Sequence, residues 1–524
     1  MLFTTLISRL KKTANSPYEM VRLTTSEKWR IAGFKFAGKF LGLFIVLLAM
    51  GFLPSILGGT SANAQDTFTP HETTLINTAN TIWTLVAAFL VFGMQPGFTF
   101  LEAGFARKRE SVNILMECVF DTCICGILFW AVGYAFMFGQ GNGFIGWGGG
   151  PLAGGDSKDW FFLQNIPDTY GTTGVPILAH WIFQFAFADT TSTVTSGAMI
   201  GRTSFRGDIL YSIGVTGFIY PIIGHWAWGP DGFLYTMGTP GHFLSSLGTG
   251  FRDFAGSTVV HTIGGMVSLA GAIVLGPRLG RVFKRDGGGM PPAHNLNLAV
   301  VGGFMLWFGW YGFNPGSTLS AVDMQGIGRV AANTTLAACA GGIAAMYIAL
   351  WFGESKKFDV GFTTNGFLAG LVAITCPCYW VSPFGAVVLG LIAGIIVYFA
   401  TNLLEWLRID DPIGAVPVHG FCGIWGTLSL GFFACGKYGV TGPTGADNSA
   451  PVTGLFYGGG SQILKAQLVG SATVTIATFV IGLILMLIIK QLPYPWKLRV
   501  EAEGETNPGG LDMFEHGVEA YVMD

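Results

Sequence analysis

From Thr78 onward the chain alternates between apolar stretches of about 20 residues and short polar interruptions, the length needed to cross a hydrocarbon layer roughly 30 Å thick. Eleven such stretches predict helices over 78–105, 112–138, 176–200, 208–228, 255–276, 296–316, 326–352, 361–380, 384–407, 412–436 and 462–489. Ahead of them, basic residues from Arg9 to Lys39 precede an apolar run, Phe40 to Leu57, and the A-x-A-like Ser61-Ala62-Asn63-Ala64. That order predicts a leader over 1–64, cleaved after Ala64. Pro54 and Gly58-Gly59 disfavour the alternative, a retained first membrane helix. Residues 65–490 then form the membrane domain and 491–524 a cytoplasmic tail.

Charge orients the spans. Lysine and arginine accumulate in cytoplasmic loops, and after the leader 15 of them fall in one set of alternate loops against 5 in the other. This predicts an outside N-terminus and an inside C-terminus, which the leader also requires. Composition agrees: of 524 residues 51% are hydrophobic and only 11% charged, far below the roughly 25% charged of soluble domains. The net charge of −2, with basic residues in short clusters, argues against a nucleic-acid partner. Eight cysteines, most within apolar runs, suit packing rather than a disulfide framework.

Two patterns recur five spans apart. Gly93-Met94-Gln95-Pro96-Gly97 parallels Gly312-Phe313-Asn314-Pro315-Gly316. Asp253 stands eight residues before His261, and Asp411 eight before His419; each histidine follows a valine and precedes a glycine by four, Gly265 and Gly423. Partners an odd number of spans apart face opposite ways across the membrane, the arrangement of inverted-repeat transporters. The predicted fold is therefore an all-α polytopic membrane protein with eleven transmembrane helices, a five-plus-five inverted repeat and one added C-terminal helix.

His261 and His419 are the two histidines deep within spans, and pseudo-symmetry brings them together near the midplane. Buried histidines in lipid mark pathways or pair with one another. A neutral pair, each ring donating or accepting, suits a small polar solute; a structural hydrogen-bonded bridge is the plainer reading. No further Cys, Asp or Glu is placed to complete a metal shell, so neither a metal nor another cofactor is expected. Asp253 and Asp411 each begin a helix and are expected to cap it. Aromatic residues gather nearby: Phe183, Phe187, Trp226, Trp228, Trp307, Trp310 and Phe313. Ring faces attract small cations, and a hydroxyl such as Ser317 accepts a hydrogen bond from one. The remaining acids within spans, Glu102, Glu117, Asp121 and Asp189, are read as helix-packing groups.

Asp253-Phe254-Ala255-Gly256-Ser257-Thr258-Val259-Val260-His261 closely resembles the signature of the ammonium transporter (Amt/Mep) family, as does Asp410-Asp411-Pro412 leading to Val418-His419-Gly420-Phe421-Cys422-Gly423. Phe183-Gln184-Phe185-Ala186-Phe187, His225-Trp226-Ala227-Trp228, Trp310 to Ser317 and the tail around Glu515-His516-Gly517 are further matches. The resemblance implies a bacterial inner-membrane homotrimer with one pore per subunit. By position Trp228, Phe187 and Ser317 look like an external ammonium recruitment site, with Asp253 supporting it. Phe183, Gln184, Phe187, Phe313 and Trp310 look like gate and pore, and His261 with His419 like the twin histidines. The resemblance further implies deprotonation of ammonium, conduction of ammonia, with or without net charge, and a PII-type signal protein as a cytoplasmic partner. Asp189 and Gly201 depart from the family pattern: the first adds a buried acid, and the second removes the acid that often precedes the arginine after the third span. An Rh-like neutral gas channel, an ammonium sensor and a metal-dependent membrane enzyme are the competing readings. Trp228 and Ser317 disfavour the first, the short tail after Lys490 the second and the missing ligands the third; no enzymatic activity is expected.

Overall fold

The computed structural model describes residues 69–521, apart from 172, 248–249 and 439–450. The expected leader and its cleavage point lie outside the described residues. The main helices are α1 (Pro70–Phe105), α2 (Lys108–Phe138), α3 (Ile177–Ser196), α4 (Phe205–Trp228), α5 (Ser257–Leu275) and α6 (Leu296–Thr318). They continue with α7 (Met324–Phe352), α8 (Val360–Thr375), α9 (Pro383–Leu407), α10 (Val416–Phe433) and α11 (Gln462–Lys490). Each of the eleven expected stretches coincides with one of them.

Nine helices among the described residues are long and apolar enough to cross a membrane; α3 and α8 fall short for different reasons. Helix α3 carries the polar run Asp189-Thr190-Thr191-Ser192-Thr193, all of it buried against other helices rather than lipid. Helix α8 has 16 residues, a rise of about 24 Å, and is buried along most of its length. Hydropathy understates α3 because its polar run is buried, whereas α8 is apolar and falls short on length alone. The outward faces of α1, α2, α6 and α11 are apolar instead, with Phe89, Val119, Phe308 and Ile476 more than half exposed.

Helix α1 starts eight residues before the predicted boundary. Thr69 Oγ1 accepts from Glu72 N while Glu72 accepts from Thr69 N, a reciprocal cap with Pro70 in the first turn. Helices α1 and α6 are both interrupted at the repeated Gly-x-amide-Pro-Gly pattern, at Gly93 and at Asn314. The glycines of each run let the two helices pack closely, since a Cβ on Gly97 would lie 3.0 Å from Leu306 N and one on Gly312 would lie 2.5 Å from Ala87 O.

Helices α5 and α10 cross at backbone contact. A Cβ on Gly265 would stand 2.4 Å from Gly420 N, and one on Gly423 would stand 2.5 Å from Ser257 O. Thr258 and Thr427 hydroxyls also meet. Residue numbers rise along one helix as they fall along the other, the antiparallel sense expected of an inverted repeat. Both helices begin with wide turns, Ser257–Thr262 and Val416–Phe421, in which His261 N donates to Gly256 O five residues back.

Between α2 and α3 lies a three-stranded antiparallel sheet, β1 (Gln140–Asn142), β2 (Ile145–Gly150) and β3 (Gly154–Asp159), and a two-stranded ribbon, β4 (Thr169–Tyr170) with β5 (Val175–Pro176). After α11 the tail folds back under the helices and includes α12 (Ala502–Thr506). Arg109 Nη1 donates to Asn507 O at 3.2 Å, Asn113 N to Asp512 Oδ1 at 3.0 Å and Leu279 N to Glu505 Oε2 at 2.8 Å.

Gly201 resolves one sequence-level question. Its φ of +82° favours glycine, and a Cβ there would meet the Glu110 carboxylate, which pairs with Arg107. The acid of this loop is thus supplied from the start of α2. Arg202 turns the other way and donates to Gly276 O at 2.8 Å and Asp410 O at 2.7 Å.

Candidate functional site

A cavity of about 250 Å³ opens at the end of the molecule that the charge pattern assigns to the outside. Trp228 at the end of α4, Phe183, Gln184 and Phe187 on α3, and Ser317 in the last turn of α6 line it together. The trailing turn of α6 carries Ser317 into the wall because Asn314-Pro315 ends the regular helix there. Trp228 is fixed through its indole N–H, which donates to Asp253 O at 2.8 Å. Ser317 Oγ donates to Phe313 O at 2.7 Å, which leaves its oxygen able to accept.

Asp253 sits differently from the other expected recruitment residues. Its carboxylate accepts from Gly256 N, Thr258 N and Val259 N at 2.9 to 3.0 Å, so it caps α5 and does not line the cavity. Three backbone donors hold it there, and only its main-chain oxygen reaches toward Trp228. Asp411 does the same for α10, accepting from Gly414 N, Ala415 N and Val416 N at 2.9 to 3.1 Å.

Below the cavity the aromatic rings close over one another. Phe187 and Phe313 are stacked with centroids 4.0 Å apart, and Phe183 lies 4.7 Å from Phe187. Trp228 stands edge-on to Phe187 at 6.2 Å. Past the stack, His261 lies 5.4 Å from Phe313 and 5.2 Å from Trp310, whose indole N–H is tied to Thr375 Oγ1 at 2.9 Å. His261 Nδ1 and His419 Nδ1 are 3.1 Å apart, with the rings 30° from parallel. A hydrogen bond between two Nδ1 atoms requires one to carry the proton and the other a lone pair. His261 Nε2 is buried and has no protein partner. The sequence therefore brings Trp228, Phe187, Ser317, Phe183, Gln184, Phe313, Trp310, His261 and His419 into one continuous file. Among the described residues, no group of three or more His, Cys, Asp or Glu side chains could hold a metal ion.

The sequence profile of the Ammonium Transporter Family matches residues 82–521. The chain belongs to that family.

Among characterised members, it is 43% identical to the ammonium transporter Amt2 of Archaeoglobus fulgidus over 446 residues, 84% of this chain and 87% of that one. Of solved structures, it is similar to a sensor Amt protein at TM-score 0.70 and 34% identity, covering 85% of this chain and all of that one. It is also similar to Saccharomyces cerevisiae Mep2 at TM-score 0.71 and 27% identity, covering 86% and 93%. As a member of this family the chain is a multi-pass membrane protein, and its relatives are transport proteins rather than enzymes.

Several wall residues were not singled out from sequence. Tyr170 of β4 stacks on His180 at 3.8 Å, and Leu152, Ala153 and Gly171 join the cavity from the same loop region. His180 Nδ1 is 2.8 Å from Tyr134 Oη, and its Nε2 is 3.3 Å from Gln184 Nε2, one helical turn on. The i,i+4 spacing of His180 and Gln184 was the available signal; the loop carries none, having neither periodicity nor motif.

Proposed function

We propose that this protein takes up ammonium across a bacterial inner membrane, as one subunit of a homotrimer with a pore in each subunit. The observation that carries the reading is the unbroken file from an aromatic cavity, through the 4.0 Å Phe187–Phe313 stack, to a hydrogen-bonded histidine pair. Ammonium is recruited at Trp228, Phe187 and Ser317: the ring faces attract the cation and the hydroxyl accepts one of its hydrogen bonds. The cation gives up a proton to solvent in the outer cavity before the stack, because a charged ion gains little from the apolar file beyond it. Ammonia then passes Phe187 and Phe313 as those rings swing aside and is handed along His261 and His419, whose ring nitrogens donate or accept in turn. Asp253 acts at one remove by anchoring Trp228 and the start of α5. The domain assignment follows: 65–490 conducts, 491–524 lies in the cytoplasm, and a PII-type protein is a candidate partner at that face.

An ammonium concentration jump on sealed proteoliposomes, with current and internal pH recorded together, tests this. Saturable inward current supports recruitment and charged transport. An internal alkaline shift without current supports neutral ammonia conduction. No response in either signal would favour the sensor reading, which the likeness to the sensor Amt protein keeps in view.

A further inference from the structure

We propose that α1 to α4 enclose a proton-binding site, separate from the histidine pair, that exchanges with the cytoplasm beside Asn113. Five buried acids lie on these four packed helices: Glu102 on α1, Glu117 and Asp121 on α2, Asp189 on α3 and Asp208 on α4. Each is no more than 2% exposed, and none takes part in an ion pair found among the described residues. Five unpaired carboxylates in a membrane interior would be far too costly to keep ionised. They hold protons or a cation, and the lack of any three-ligand grouping among the described residues argues against a metal.

The polar neighbours point to protons independently. Both oxygens of Asp121 and both of Asp189 lack a hydrogen-bond partner. The hydroxyls of Ser192 on α3 and Ser212 on α4 are fully buried beside Asp121 and make no hydrogen bond to any other group. An idle hydroxyl oxygen beside an unpaired carboxyl is an acceptor waiting for a carboxylic O–H. The other groups facing the acids are neutral: Cys118 and Cys125 on α2, Tyr211 on α4 against Asp208, and Ser196 on α3, 3.4 Å from Glu102.

The cytoplasmic end is closed by the tail. Asn113 Nδ2 donates to Glu117 Oε1 at 2.7 Å, and Asn113 Oδ1 accepts from His516 Nε2 at 2.9 Å. Asp512 caps the same turn and Glu110 lies at its rim, paired with Arg107. One amide thus joins Glu117 to a half-buried tail histidine. Within the site each transfer breaks one carboxylic O–H and forms another on a neighbouring carboxylate; at the exit the proton passes to water, leaving a carboxylate and a hydronium ion. This site does not require the conduction reading above.

Infrared difference spectroscopy of the reconstituted full chain, without ammonium, tests it. Wild type at neutral pH is expected to show protonated-carboxyl bands that shift in D2O. Asp121→Asn and Glu117→Gln should each lose intensity there, and His516→Ala should make the exchange several-fold faster. Carboxylate bands only, with a stoichiometric metal by elemental analysis, would overturn the proposal in favour of a cation site. Acid bands that fail to exchange, or that both variants leave intact, would overturn it as well.

Discussion

Asp253 and Asp411 perform the same task at opposite ends of the inverted repeat, each carboxylate gathering three backbone N–H groups at the start of a histidine-bearing helix. Asn, which caps almost as well as Asp, should retain most of the stability at either position. Alanine should cost about 0.5–2 kcal/mol, seen as a lower thermal midpoint of the purified protein. An Asp253→Ala protein as stable as wild type would show that the cap is dispensable and return the carboxylate to a role at the cavity.

Trp228→Leu is expected to weaken apparent ammonium affinity by about two- to thirtyfold, the equivalent of a cation–π contact of about 0.5–2 kcal/mol. The measurement is the concentration dependence of the ammonium-evoked current. An unchanged half-saturating concentration would remove the indole from recruitment.

His261→Ala and His419→Ala should change flux or selectivity while the oligomer stays intact by size-exclusion chromatography. Loss of folding in both would assign the pair to scaffolding instead.

Asp410 provides a pH prediction at the cytoplasmic face. Burial alone would raise its carboxyl, but bidentate hydrogen bonds from Arg278 at 2.8 and 2.9 Å, with the charge of Arg202 beyond, hold it well below the usual carboxylate range. A depressed carboxyl lends stability that is fully present above its unfolded value of about 3.9 and is lost as pH falls through the folded value. Stability should therefore be flat from neutrality to about pH 4 and decline below it, so far as Asp410 governs it. Asp410→Asn should flatten that decline while lowering stability at pH 7 by about 3–5 kcal/mol, the cost of leaving a buried Arg278 unpaired. Denaturation curves across this range check both.

Among the described residues, the sequence located the eleven long helices and the histidine pair through periodic or repeated traces, while the aromatic residues were picked out through the resemblance to the family's motifs. Lipid demands long apolar runs, and pseudo-symmetry duplicates Asp, His and Gly at equal spacing. What escaped notice left no such trace. The start of α1 is polar and set by the Thr69–Glu72 cap rather than by hydropathy. The polar face of α3 is buried among helices, so Asp189 reads as a departure when it is an interior group. Tyr170 reaches the cavity from a loop whose path depends on strand pairing across residues 140–176. The place of Asp253, behind Trp228 rather than beside the cavity, follows from helix-capping geometry.

The Gly265–Gly420 contact carries a consequence for turnover. Two backbones in contact where α5 and α10 cross hinder either half from rocking against the other without breaking that close packing. On the conduction reading proposed above, a solute is admitted by side-chain rotations, events of nanoseconds rather than the microseconds to milliseconds of domain movement. On that reading the helices keep one arrangement while the rings open and shut.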